Sequence, residues 1–122
     1  EGTWTPTSAG AGTLTVNNGA YYTKVGRNVT LHINSAQFSD YTSTSYLAIN
    51  GLPFAPSGSS AVGITMMSYR DDTITIASFI PAALSQLRFY RSSTTSGFSQ
   101  VRHNILNSTS NALYISINYQ TA

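Results

Sequence analysis

Leu113-Tyr114-Ile115-Ser116-Ile117-Asn118-Tyr119 alternates apolar and polar positions without a break. Successive side chains of an extended strand point to opposite faces, so the run reads as a strand with Leu113, Ile115, Ile117 and Tyr119 on one buried face. Val29, Leu31 and Ile33 alternate with Thr30, His32 and Asn34 in the same way. So do Val62, Ile64 and Met66 with Gly63 and Thr65, Ile74 and Ile76 with Thr73 and Thr75, and Leu87 and Phe89 with Arg88 and Tyr90. Shorter candidate strands cover residues 13–17, 20–24, 45–50 and 100–106.

Turn-forming residues separate these runs. Asn17-Asn18-Gly19 predicts a hairpin, because Asn and Gly tolerate the positive φ of primed turns. Arg70-Asp71-Asp72 predicts a turn between strands, since Asp carboxylates bond to nearby amides. Residues 57–60, 92–97 and 107–111 read as polar loops, and residues 79–87, with Ala82, Ala83 and Leu84 after Pro81, as one short turn at most. No long helix, internal repeat or dividing linker is seen. Eight or nine short strands at roughly 8 to 14 residue spacing predict an all-β, antiparallel, jelly-roll-like sandwich. One domain is expected over residues 1–122, with 1–12 as its entering segment.

The composition agrees. Of 122 residues, 41% are hydrophobic, which suffices for a core, while only 8% are charged, against a usual value of about 25%. Polarity comes from Ser, Thr and Asn instead. Such a surface suits packing among copies of the chain, because few charges must be desolvated at a contact. Lys24, Arg27, Arg70, Arg88, Arg91 and Arg102 are dispersed, whereas nucleic-acid binding needs a clustered basic footprint. The absence of cysteine excludes disulfides and thiolate zinc sites. No apolar run approaches the roughly 18 to 20 residues that span a bilayer, so membrane insertion is not expected. The first residue is Glu1, and no basic-then-apolar leader follows it, so a chain either processed or excised from a longer polypeptide is expected.

Three motifs carry a resemblance. They are Gly2-Thr3-Trp4-Thr5-Pro6-Thr7, Tyr22-Thr23-Lys24-Val25-Gly26-Arg27 and Asn50-Gly51-Leu52-Pro53-Phe54. Together they resemble the distal module of bacteriophage tail fibres and tailspikes. The likeness covers the N-terminal half well and the end of the chain more loosely; residues 56–111 match nothing specific. It implies a β-rich homotrimer on the virion, preceded by a fibre shaft or trunk and acting extracellularly on the bacterial surface. The partner implied is host surface polysaccharide or lipopolysaccharide.

Read physically, the motif residues are structural. Trp4, with a large apolar area and one donor to satisfy, is expected to dock the entering chain onto the body or onto a neighbouring subunit; a sugar-stacking platform is the alternative. Gly26 supplies freedom for a sharp corner between Lys24 and Arg27, a pair that could alternatively hold phosphate or an acidic sugar. Gly51 and Pro53 end a strand, and Leu52 and Phe54 would plug one end of the sandwich; a ligand pocket at Phe54 is the alternative.

Catalysis is not expected. Glycan hydrolysis usually needs two carboxylates about 5 to 9.5 Å apart. The chain has only Glu1, Asp40, Asp71 and Asp72, and neighbouring strand residues such as Asp71 and Asp72 point to opposite faces. His32 and His103 read as structural hydrogen-bonding residues, and no nucleophile elbow occurs. No cofactor is implied. Asp71-Asp72 lacks the oxygen-rich loop that calcium wants, so no metal site is expected. Carbohydrate recognition is compatible with what remains: a ring face meets the C–H side of a sugar while amides, carboxylates or guanidiniums bond its hydroxyls. The candidates are Tyr41 and Tyr46 around a Ser/Thr-rich loop, then Tyr69, Arg70, Asp71 and Asp72, then Tyr90 and Arg91. For each tyrosine, simple strand packing with a wetted hydroxyl is the competing reading. At the level of the module, the alternative to glycan binding is a trimerisation and capping role with no ligand.

Overall fold

The computed structural model describes residues 1–71, 75–93 and 97–122. The chain is all-β and antiparallel, a single curled sheet that forms a half-barrel. Its strands are β1 (Gly2–Thr3), β2 (Thr7–Ser8), β3 (Leu14–Val16), β4 (Ala20–Val25), β5 (Asn28–Phe38), β6 (Ala48–Asn50), β7 (Ala61–Met67), β8 (Ile76–Ile80), β9 (Leu87–Ser93), β10 (Gly97–Gln100) and β11 (Leu113–Gln120). The order across the sheet is β1-β4-β5-β11-β7-β8-β9-β6-β2, with β3 also on β5 and β10 also on β9. A 3-10 turn, His103–Ile105, is the one helical element described.

β5 and β11 form the spine. Eight residue pairs from Leu113↔Ala36 to Gln120↔Asn28 join them. Leu113, Ile115, Ile117 and Tyr119 are all buried, and Tyr114 and Asn118 face outward, as the alternation predicts. β5 carries an irregularity that alternation alone does not foresee. Val29, Leu31 and Ile33 are buried at odd positions, then Ala36 and Phe38 at even ones. Ser35, at φ 64°, sits between them, and the β11 register shifts opposite it. An extra residue in one strand flips the side-chain parity, so both halves of this long strand turn their apolar residues inward.

The same bulge corrects the reading of Asn17-Asn18-Gly19. These residues do not reverse the chain. β3 pairs with 36–38 and β4 with 28–33 along one edge of β5, so the two are collinear. Asn17 and Asn18 donate backbone bonds to Ser35 and Asn34, and Gly19 accepts one from Asn34, bridging the step. The true reversal is at Gly26-Arg27. Val25 pairs with Asn28, and Gly26 at φ 60° followed by a residue of negative φ is the pattern of a type II′ turn.

The N-terminal segment closes the open side. β1 pairs with β4 and β2 with β6, which lie near opposite margins of the sheet. Trp4 lies between them, 8% exposed, within the hydrophobic core. Its indole Nε1 has no hydrogen-bond partner, so Trp4 contributes area rather than a polar anchor. β6 ends at Asn50, and Gly51 follows at φ 95° against the Thr5 carbonyl. Leu52 and Phe54 then pack on the core from its edge, with Phe54 edge-on to Tyr22 at 5.2 Å.

Two further expectations change. Residues 100–106 do not form a strand: β10 ends at Gln100, and His103–Ile105 winds into the 3-10 turn. β9 reaches Ser93 and β10 starts at Gly97, so the polar loop expected over 92–97 is strand at both ends. In β7, Val62, Ile64 and Met66 form no buried face. They are 67%, 76% and 67% exposed, while Ala61, Gly63, Thr65 and Met67 face inward. The reason is close approach. A Cβ on Gly63 would lie 2.5 Å from Ile117 Cβ and 2.6 Å from the Ser116 carbonyl, so only small side chains fit inside β7 at that level.

Candidate functional site

Loop 40–46 and the segment 100–107 assemble one polar region. Asp40 Oδ1 accepts the amides of Thr42 at 3.0 Å and Ser43 at 2.8 Å, curling the loop around its own carboxylate. These amide bonds, from Ser43 first and Thr42 next, hold the Asp40 carboxyl below its ordinary value. The loop is then laced to the chain after β10. Asn104 N donates to the Ser43 carbonyl, His103 N to that of Ser45, and Leu47 N to that of Val101.

His103 is the buried pin of this region. It is 0% exposed and meets Phe38 edge-on at 5.5 Å. Its Nε2 accepts the Ala11 amide at 3.1 Å. The proton must therefore sit on Nδ1, which donates to the Asp40 carbonyl at 3.0 Å. One neutral ring thus ties the entering segment to the loop. Both ring nitrogens are occupied by backbone, so this histidine positions rather than reacts.

Above it, Arg102 lies over the Tyr46 ring at 4.3 Å. Its Nη1 donates to the Thr44 carbonyl at 2.7 Å and its Nη2 to the Tyr46 hydroxyl at 2.9 Å. Tyr46 itself is 43% exposed. Beside Arg102 runs an open groove of about 360 Å3 whose polar lining is Asp71, Arg91, Gln100, Arg102 and Asn104. Asp71 is fixed there from two sides: its amide donates to the Ile105 carbonyl at 2.9 Å, and Asn107 Nδ2 donates to its Oδ1 at 2.9 Å. The groove presents guanidinium, carboxylate and amide groups together, the donor and acceptor mixture that sugar hydroxyls need.

Of the residues singled out from sequence, Asp71 and Arg91 share this groove, and Tyr46 adjoins it through Arg102. Tyr41, 39% exposed, is on the same loop as Tyr46. Tyr69, at φ 56° and 56% exposed, precedes Arg70, which bridges to Leu106. Arg70 lines a different hollow, with Met66, Met67 and Tyr114. Tyr90 is elsewhere, on the outer face of β9, edge-on to Phe79 at 5.3 Å. Asp72 lies outside the described residues. Lys24 and Arg27 stay apart from the groove. Lys24 Nζ donates to the Gly26 carbonyl at 2.7 Å, and Arg27 Nε to that of Thr121 at 3.1 Å. Gln100, Arg102 and Asn104 were not singled out as ligand-binding residues. Arg102 and Tyr46 are 56 positions apart, and no local pattern links them.

Among the described residues, no three His, Cys, Asp or Glu side chains cluster as metal ligands would. No family model, curated protein or solved structure matches the chain.

Proposed function

We propose that the chain is the distal module of a phage tail fibre or tailspike, a homotrimer that binds host surface polysaccharide or lipopolysaccharide and leaves it uncut. The observation that carries this reading is the groove of Asp71, Arg91, Gln100, Arg102 and Asn104 beside the exposed Tyr46 ring. The motifs Gly2-Thr3-Trp4-Thr5-Pro6-Thr7 and Asn50-Gly51-Leu52-Pro53-Phe54 support the family. The first lines the closing seam of the sheet and the second leaves β6. Binding without cleavage is supported by how two of the four acidic side chains, the two described in this region, are engaged. Asp40 is held by two amides of its own loop and Asp71 by Asn107. A general acid or nucleophile needs a carboxylate aimed at substrate. In this reading the arms β4-β5-β11 and β8-β9-β6 act as the two layers of a jelly-roll-like sandwich. Phe38 of β5 and Phe89 of β9, edge-on at 6.3 Å, support that pairing. Trimerisation would present three grooves together, and avidity would multiply a weak single-site affinity. The module would work outside the bacterium, from the virion.

The test is binding of the intact chain to host cells and purified host polysaccharide, compared with Arg102→Ala. A loss of at least about tenfold in Arg102→Ala, with the polysaccharide recovered at full length, is the expected result. Equal binding by both proteins, or release of new reducing ends, would overturn the reading.

A second reading keeps the assembly and drops the ligand. The apolar outer face of β7 serves a trimerisation and capping module as well as it serves the first reading. Assembly without any glycan binding would favour it.

A further inference from the structure

The outer face of an antiparallel sheet ordinarily carries polar residues where it meets water. Here its centre does not. Val62, Ile64 and Met66 project from β7 at 67%, 76% and 67% exposure. The strip continues sideways through the ladder. Met66 pairs with Tyr114, which is 42% exposed, and Val62 pairs with Phe79. Two grooves flank this ridge. Tyr21, 46% exposed, lines one with Ile64 and Met66, and Phe98, 78% exposed, lines the other with Val62 and Tyr90.

We propose that this strip is the surface through which copies of the chain meet, an inference that rests on the homotrimeric reading above and names the face that makes it. Size supports a second copy as the occupant. With full burial of a large side chain worth roughly 150 to 250 Å2, the exposed parts of Val62, Ile64, Met66, Phe98, Tyr114 and Tyr21 sum to about 700 Å2. A standard interface buries roughly 800 Å2 per partner. Charge supports it too. Among the described residues the strip holds no carboxylate, and both cations that flank it are engaged: Arg88 Nε donates to Gln86 Oε1 at 2.8 Å, and Arg70, in the hollow beside Met66 and Tyr114, donates from Nε to the Met67 carbonyl at 3.1 Å. A cationic partner would find no carboxylate to pair with. A copy of the same face would bring no carboxylate against it. Around a three-fold axis each copy would turn the ridge of β7, one side chain every second residue, toward the ridges of the other two. At the level of Gly63 no large side chain fits on the inner face, and Val62, Ile64 and Met66 stand on the outer one, where a subunit contact would cover them.

The test is sedimentation velocity on the intact chain, on Ile64→Glu and Val62→Glu, and on Val25→Glu as a control. Val25 is 73% exposed but lies at the Gly26 hairpin, away from the strip. The wild type and the control are expected to sediment as assemblies. The two strip variants are expected to associate at least about 100-fold more weakly, because each contact would bury an unpaired carboxylate. Far-UV circular dichroism checks that the fold persists; if Glu is not tolerated, Ile64→Thr replaces it with a smaller expected shift. Assembly that survives in both strip variants overturns the assignment of the face alone. Disruption by Val25→Glu to the same degree overturns it as well. A monomeric wild type overturns the assembly and this face together, whereas polysaccharide binding by monomeric Ile64→Glu is read separately and tests the groove.

Discussion

Tyr119→Phe separates a buried hydrogen bond from buried area. The ring of Tyr119 is 2% exposed, and its hydroxyl donates to the Phe54 carbonyl at 2.8 Å. Phenylalanine keeps the ring and its transfer energy, so no appreciable cavity opens. The variant loses one neutral hydrogen bond, worth about 1 kcal/mol net, and leaves the Phe54 carbonyl short of a donor, so a total of about 1 to 2 kcal/mol is expected. For a domain of this size that lowers Tm by roughly 4 to 8 °C. The pH dependence gives a second reading. Burial raises the Tyr119 pKa above its ordinary value of 10.0. A raised folded value means that the stability is complete below the unfolded pKa and declines as pH climbs toward the folded one. The wild type should therefore lose its advantage above pH 10, by about 1.4 kcal/mol for each pH unit between the two values. Urea unfolding followed by the fluorescence of Trp4, the sole tryptophan, at pH 7 and at several values from 9 to 11 measures the gap. A variant as stable as wild type at pH 7, or a gap that stays constant to pH 11, would refute the reasoning.

Two further outcomes are expected. Gly63→Ala places a methyl against Ile117 Cβ and the Ser116 carbonyl, and the overpacking should cost about 1 to 3 kcal/mol, read as a lower urea midpoint at unchanged slope. Asp40 has a lowered folded pKa, so its hold on Thr42 and Ser43 is intact above the ordinary value of 3.8 and is lost as pH falls through the folded one. Amide proton shifts of Thr42 and Ser43 should titrate together with a midpoint below 3.8, and should show no such step in Asp40→Asn; a midpoint at or above 3.8 would count against the two amide bonds.

The spine was legible because its signal is local. β11 and the first half of β5 alternate cleanly, and burial on one face is all that alternation reports. The bulge at Ser35 was not legible, since Ser-Ala-Gln after Asn34 carries no mark of a parity switch. Asn17-Asn18-Gly19 carried a real turn signal that the fold spends on bridging β3 and β4. β7 shows the other limit. Alternation gives two faces but not which one is inside, and the outward placement of Ile64 depends on how closely Ile117 of β11 approaches Gly63. The site was legible in part. Asp71, Arg91 and Tyr46 were candidates on residue type alone, but their grouping with Arg102 and Asn104 depends on His103 fastening loop 40–46 to segment 100–107.

Backbone amide shifts of the isotope-labelled chain, recorded during titration with a defined fragment of host surface polysaccharide, address the binding role most directly. Saturable changes centred on residues 41–46, 71, 91 and 100–104, with the fragment intact at the end, are expected. An unchanged spectrum at high fragment concentration, changes confined to other parts of the chain, or a shortened fragment would contradict it.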